Sequence, residues 1–476
     1  MALNAPMRTA LAMLAAGSPL VAQTRTPRFT LPEQPYDYAT IAAPEHLPVA
    51  LRASNTAAPT VDAQATLGRV LFYDPLLSRN HTRSCGSCHQ QDRAFADGRA
   101  RSRGFAGHLT RRNSMSIANL RFHEGGLFWD ARASSLETMV LMPIQDPVEM
   151  GLGLDELVQR LRSEPAYPEL FGKAFGTPAV DRDRIAAALA QFVRAIVSLR
   201  SKYDVGLALA QEVDRDFPNF TAAENRGKRL FFGSDGDRRN SCAACHTQRI
   251  PTWCGNAFFV DPVMFDSEQC HNNGVDAGAR RDDPGHAEVT HRDEDRGKFR
   301  APSLRNVELT GPYMHDGRFA TLADVLQFYS ERVRSHPQLD GVLGGNGAAA
   351  SAGWGGGGAP PPSAPVATIV GRQLGFPLSR RDREDLLAFL KTLTDHHLVA
   401  DPRFADPFEH WFPSARARPR PRATRAGGAR RIAAEDAAMR WQSGGRQRRA
   451  TGLAAGRPAD DRVRGHGGAA TMRRWS

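Results

Sequence analysis

Cysteine is scarce in this chain, six residues in 476, which excludes a small scaffold stapled by many disulfides. Long apolar runs are missing as well. No stretch of about 18 or more apolar residues occurs in the body of the chain, so no transmembrane helix is expected. Aromatics make up only 8% of residues, yet with 41% hydrophobic residues a chain of this length can bury two ordinary cores. The formal charge of +11 is confined to one end: residues 414–476 hold sixteen Arg against four Asp/Glu, which leaves residues 1–413 at about −1. The globular part therefore lacks the positive face of a nucleic-acid binder, and no nucleic-acid partner is expected.

Four of the few cysteines are spent on one pattern. Cys85-Gly86-Ser87-Cys88-His89 and Cys242-Ala243-Ala244-Cys245-His246 are C-x-x-C-H motifs, in which two thiols form thioether bonds to a c-type haem and the imidazole ligates its iron. Chance gives roughly two such matches per thousand chains of this composition, so two in one chain are not accidental. A CxxC disulfide or half a zinc site would not need a histidine directly after each second cysteine, and zinc would want a further ligand pair. Two covalent haem c groups are the expected cofactors. Their attachment takes place outside the cytoplasm, which favours reading residues 1–23, with Arg8 and then the weakly apolar Thr9 to Ala22, as a secretory signal over a disordered N-terminus. A periplasmic protein is expected, with residues 24–59, rich in Pro, Ala and Thr, as an extended arm.

Apolar periodicity predicts a helix from Thr60 or Asp62, as cap, to about Asp74-Pro75, with Leu67, Val70 and Leu71 on one face. A second helix, Thr221 to Phe232, leads in the same way into Cys242. The two segments look like one module used twice, with a long and different stretch between the copies, one in each of two expected domains, 60–215 and 216–413. The second domain carries a Gly/Pro-rich insertion at 342–365 and a closing helix capped by Ser379, with Leu386, Leu387, Phe389, Leu390 and Leu393. Residues 414–476 cannot build a core and are expected to form a disordered Arg-rich tail.

The intervening segments carry a resemblance. Arg112-Asn113, Phe128-Trp129-Asp130-Ala131-Arg132, Pro143 to Met150, and Pro302 to Gly317 occur in the order that is similar to the bacterial di-haem cytochrome c peroxidases and the related MauG proteins, which mature a tryptophan-derived cofactor. The resemblance implies an all-α fold of two cytochrome c-like domains, in which hydrogen peroxide is reduced at the N-terminal haem with electrons entering through the C-terminal one. The donor would be a small periplasmic cytochrome c or cupredoxin, or a protein substrate in the MauG manner; a homodimer is left open. A di-haem electron carrier without peroxidase activity is the alternative of another class, disfavoured by Glu149 and by the missing secure distal ligand.

The same resemblance assigns Glu149 as distal acid–base, against a plain surface glutamate, with Met139 where the family keeps a glutamine. It places Trp129 between the haems, against a tryptophan that only packs. Asn113, Thr310 and Pro312 fall where the family binds calcium, against a mere turn. Tyr329, fourteen residues after His315, stands where the peroxidase branch has a methionine ligand to the second iron, and tyrosine there resembles MauG; Met314 is a nearby thioether. His108 is the one histidine available to cap the first iron, a role MauG-like relatives lack. Cys254 and Cys270 remain as a disulfide or as two free thiols. His271 reads as structural, and His286 and His291 as solvated.

Overall fold

The computed structural model describes residues 29–39, 59–123, 125–233, 241–247, 249–251, 258–260, 263–276, 283–344 and 374–408. The expected signal (1–23), most of the insertion, Cys254 and the tail lie outside the described residues. The chain divides into a unit Met1–Phe412, which holds every described element, and a unit Pro413–Ser476.

Helices dominate: α1 (Asp62–Tyr73), α2 (Cys85–Cys88), α3 (Leu136–Gln145), α4 (Leu154–Ser163), α5 (Ala166–Phe175), α6 (Arg182–Ala195), α7 (Lys202–Ala210), α8 (Ala222–Phe232), α9 (Ala287–Thr290), α10 (Leu322–Gln327) and α11 (Arg380–Lys391). Two antiparallel pairs of very short strands interrupt the all-helical expectation, β1 (Arg249–Pro251) with β2 (Phe258–Val260) and β3 (Cys270–His271) with β4 (Phe299–Arg300). Several helices start where side chains satisfy their first N–H groups. Ser201 with Asp204, Thr221 with Glu224, Thr321 with Asp324 and Ser379 with Asp382 form capping boxes. At α1 the expected cap is corrected. Val61 occupies the cap without a side-chain bond, and the Asp62 carboxylate instead accepts the N–H groups of Tyr38 and Ala39, both at 2.8 Å, fastening the arm to the helix.

Two large apolar cores form, but their division does not fall at 215/216. Phe122, Val197, Leu199, Tyr203 and Leu207 belong to the second core, while Leu398 and Phe404 return from the end of the chain to the first. Each core is organised by the same crossing. In the first, α1 packs on α6 so closely that a Cβ on Gly68 would collide with the carbonyl of Ala188; in the second, α8 packs on α11, and a Cβ on Gly227 would collide with the carbonyl of Asp385. Glycine costs helix propensity, and both helices keep it because only a bare Cα permits this approach.

The duplication extends beyond the haem-motif segments, correcting the expectation of a different stretch between the copies. Leu127 bridges Ala133 and Tyr313 bridges Phe319, each closing a tight loop. Inside them Phe128 and Met314 take φ of 69° and 71°, and Ala131 and Gly317 take 60° and 69°. Trp129-Asp130-Ala131-Arg132 and His315-Asp316-Gly317-Arg318 are thus one loop built twice, each followed by a capped helix, α3 or α10. The halves are joined at those loops by two equivalent hydrogen bonds: the Asn113 N–H donates to the His315 carbonyl at 2.7 Å, and the Arg300 N–H donates to the Trp129 carbonyl at 2.8 Å.

A Gly227→Val substitution should lower stability by about 3 kcal/mol or more, since the clash is with backbone that cannot rotate away. Guanidinium unfolding checks this, and a midpoint unchanged from that of the parent chain would show that the crossing is not tight.

Candidate active site

A cleft opens beside each C-x-x-C-H motif. The first is lined by Cys85, Cys88 and His89, with Trp129, Met139 and Glu149 on other walls. The second is lined by Cys242, Cys245 and His246, with Trp129, Met314 and Tyr329. In both motifs the histidine N–H donates to the first cysteine's carbonyl, at 2.9 Å for His89 and 3.0 Å for His246, so one helical turn presents both sulfurs and the ring together.

The rings are held alike. His89 Nδ1 lies 2.8 Å from the Phe95 carbonyl and His246 Nδ1 lies 3.2 Å from that of Pro302. A carbonyl only accepts, so Nδ1 carries the proton and the Nε2 lone pair is left for a metal. Burial lowers the pKa of both imidazoles, that of His246 to about 4, which keeps them in the neutral form that ligates. Apolar clefts with paired thiols and a pre-oriented imidazole fit covalent haem at both motifs.

Glu149 owes its place to Asp146, whose Oδ1 accepts the N–H groups of Val148 at 2.8 Å and Glu149 at 3.1 Å. Its carboxyl has no hydrogen-bond partner among the described residues. Burial, and secondarily the Asp146 charge, push its pKa up to about 7 against a smaller opposing effect of Arg132. Met139 lines the same cleft, and its thioether, a weak acceptor, offers Glu149 no amide from that position.

Trp129 is the one aromatic among the described residues that lines both clefts. Its indole N–H donates to the Asn113 carbonyl at 2.9 Å, and its ring meets that of His315 edge-on at 6.4 Å. Tyr329 sits on the second cleft within Phe328–Arg332, where the chain leaving α10 widens into a π turn, a distortion frequent at functional sites. Its hydroxyl accepts from Asn273 Nδ2 at 3.2 Å, and the same amide lies 3.7 Å from Met314 Sδ. Burial pushes the phenol up to about 12.

Comparison with known proteins agrees with this geometry. Residues 62–212 match the family described as di-haem cytochrome c peroxidase. The methylamine utilization protein MauG of Methylorubrum extorquens is 33% identical over 339 residues, covering 70% of this chain and 79% of that protein. The chain belongs to this family. The cytochrome c551 peroxidase of Nitrosomonas europaea is also 33% identical, over 55% of this chain and 71% of its own. Among solved structures, a MauG-like protein associated with microbial copper homeostasis shares 34% identity with a TM-score of 0.57, covering 77% of this chain and 98% of that one. The diheme peroxidase BthA of Burkholderia thailandensis shares 26% identity with a TM-score of 0.53, over 72% and 89%. Like its family, the protein is an oxidoreductase of the cytochrome c peroxidase type.

Within this di-haem peroxidase family member, not every expected site residue reaches a cleft. His108 is exposed, outside the lining of the first cleft, with its carbonyl accepting from the Gly104 N–H at 2.9 Å. Asn113, Thr310 and Pro312 all line the second cleft. His271 is partnered, its Nδ1 lying 2.7 Å from an Asp340 carboxylate and 3.6 Å from Cys245 Sγ. His286, expected to be solvated, is instead half-buried, with Nδ1 2.8 Å from the Asp130 carbonyl; His291 is exposed as expected. Asp146, Asn273 and Arg300 carry no motif that marks them in the sequence as site residues. Asp146 alone has a local signal, since an aspartate before Pro-x-x is a turn former.

With His108 outside the cleft, His108→Ala should leave the rate at which the fully oxidised protein reacts with peroxide within about twofold of wild type. Stopped-flow absorbance measures this. A variant that gains reactivity the parent lacks would place the imidazole on the iron.

Proposed function

We propose that this protein is a periplasmic di-haem c peroxidase that reduces hydrogen peroxide in the first cleft with electrons entering through the second. The observation that carries the reading is Glu149, a half-buried carboxyl whose pKa is pushed up to about 7, lining the cleft of an oriented C-x-x-C-H histidine. When bound, the haems supply the two electrons that convert peroxide and two protons into two waters.

The chain's own groups do the rest. Glu149 takes the proton from one peroxide oxygen and returns it to the other, which then leaves as water. Asp146 holds the Glu149 backbone in place, and the apolar neighbours Met139 and Met150 limit water that would flatten its pKa. Trp129 fills the space common to both clefts and offers the packed aromatic path between them. Tyr329 supplies a hydroxyl to the second cleft, where an anionic oxygen donor favours the oxidised iron. Support for a bound calcium ion comes from Asn113, Thr310 and Pro312 lining one cleft, and from the donation of Asn113 Nδ2 to the Arg99 carbonyl at 2.8 Å, which turns Oδ1 free for a hard cation.

A second reading keeps the peroxide step and changes the electron source. Tyr329 and the similarity to MauG favour oxidation of a protein substrate in place of a small cytochrome c or cupredoxin donor.

The acid–base assignment predicts a pH profile. Because Glu149 must be ionised to accept the proton, the peroxide rate should fall about tenfold per pH unit below about 7 and level off above it. Glu149→Gln should retain both haems, lose this pH step, and react roughly two to four decades more slowly. Stopped-flow mixing across pH tests both, and a variant of unchanged rate and profile removes Glu149 from the mechanism.

The Tyr329 assignment predicts that the oxidised protein lacks the near-infrared charge-transfer band of a thioether–iron bond. A band that is present, and that Met314→Leu abolishes, would transfer the ligand role to Met314.

A further inference from the structure

Two buried guanidinium groups in this fold are well matched to carboxylates. Arg305 is gripped by both oxygens of Asp204, at 2.8 and 2.9 Å, and its Nε donates to the Val263 carbonyl at 2.7 Å. Arg112 binds Asp130 at 2.5 Å, Asp283 at 2.8 Å and Glu288 at 3.1 Å.

Arg300 is not matched in this way. It is 4% exposed, on β4, between the halves of the molecule. Its Nε is buried with no hydrogen-bond partner, and Nη2 finds only the thioether of Met115 at 4.0 Å. No described carboxylate makes an ion pair with it; Asp266 and Cys270 act on it only from a distance. An arginine does not shed its proton in a protein, so the charge stays, and a buried charge without a counter-ion costs several kcal/mol. The compensating anion must therefore come from something the surrounding space receives. That space is the two clefts: Arg300 and Trp129 line both, and the Arg300 N–H is the one that donates to the Trp129 carbonyl.

We propose that Arg300 is the shared counter-ion of the two haems, its guanidinium fork pairing with one propionate carboxylate from each where the clefts meet. This rests on the di-haem reading. Haem c carries its negative charge on its propionates, and a planar guanidinium with free N–H groups on two edges matches two carboxylates at once. The arrangement relieves the repulsion between like-charged propionates brought close together. It also places a fixed positive charge beside both macrocycles, which holds both reduction potentials up.

Spectroelectrochemical titration of Arg300→Gln and Arg300→Lys, with haem counted as the pyridine haemochrome, tests this. Two haems per chain in the parent protein uphold the di-haem reading independently of any change in potential. Arg300→Gln should shift both midpoint potentials downward. Arg300→Lys should stay near the parent at pH 7, but both potentials should fall as pH is raised through the titration of a buried lysine, a step the parent lacks because arginine does not titrate. A fully loaded Arg300→Gln protein with both potentials unchanged overturns the proposal, and a shift of one haem alone overturns the sharing. Should Arg300→Gln fail to load haem, Arg300→Lys decides: a pH response indistinguishable from that of the parent overturns the assignment.

Discussion

Two backbone hydrogen bonds hold the working parts in register: Asn113 to the His315 carbonyl and Arg300 to the Trp129 carbonyl. Each runs from the segment just before a buried asparagine of positive φ, Asn119 or Asn306, in one half to the repeated loop in the other. Because the donors and acceptors are main chain, the bonds fix where the two clefts approach one another whatever the side chains do. The side chains then use that fixed geometry. Trp129 and His315 meet edge to face across it, Phe299 stacks on His315 with ring centroids 3.9 Å apart, and Arg300 is driven into the space between the clefts.

Desolvation is the common cause of the site's chemistry, and its sign differs by group. It raises the carboxyl of Glu149 toward neutrality, where a proton can be both taken and returned, and it raises the phenol of Tyr329 so that only a strong Lewis acid would strip its proton. It lowers His89 and His246, leaving neutral imidazoles whose free nitrogen points away from the carbonyl that holds the other. Arg300 cannot respond in this way. Where the other groups adjust protonation to burial, a guanidinium has to be met by an opposite charge.

Much of this is legible in the sequence, because covalent haem attachment is written in contiguous residues. The motif cysteines and histidines, the helix leading into each motif, and the Thr221 and Ser379 caps need no knowledge of the tertiary structure. The family resemblance places Glu149, Trp129 and Tyr329, all of which reach a cleft. What cannot be read depends on chain segments far apart in sequence. His286 finds the Asp130 carbonyl across 156 residues, and His271 finds Asp340 across 69. The core boundary escapes for the same reason: Leu398 and Phe404 belong to a core whose first helix begins at Asp62. Arg300 carries no local signal, since an arginine two residues before a proline looks like any surface residue until its partners are counted.

The duplication also says how two nearly equal scaffolds can do different work. Counted from the caps Ser135 and Thr321, position eight of the next helix is Pro143 in the first half and Tyr329 in the second, and each lines its own cleft. A proline ring has no donor atom to offer a metal, whereas a phenol does. This position, on the proposed reading, offers no ligand from the helix to the first cleft, where His89 alone would hold the iron, and a phenol to the second. On the proposed reading, the open face is where peroxide enters and Glu149 waits, while the closed one has no need of a carboxylate. Asymmetry between the sites thus goes with a change of side chain at one repeated position, where the second helix also widens into a π turn, and with a carboxyl that Asp146 holds over the first cleft.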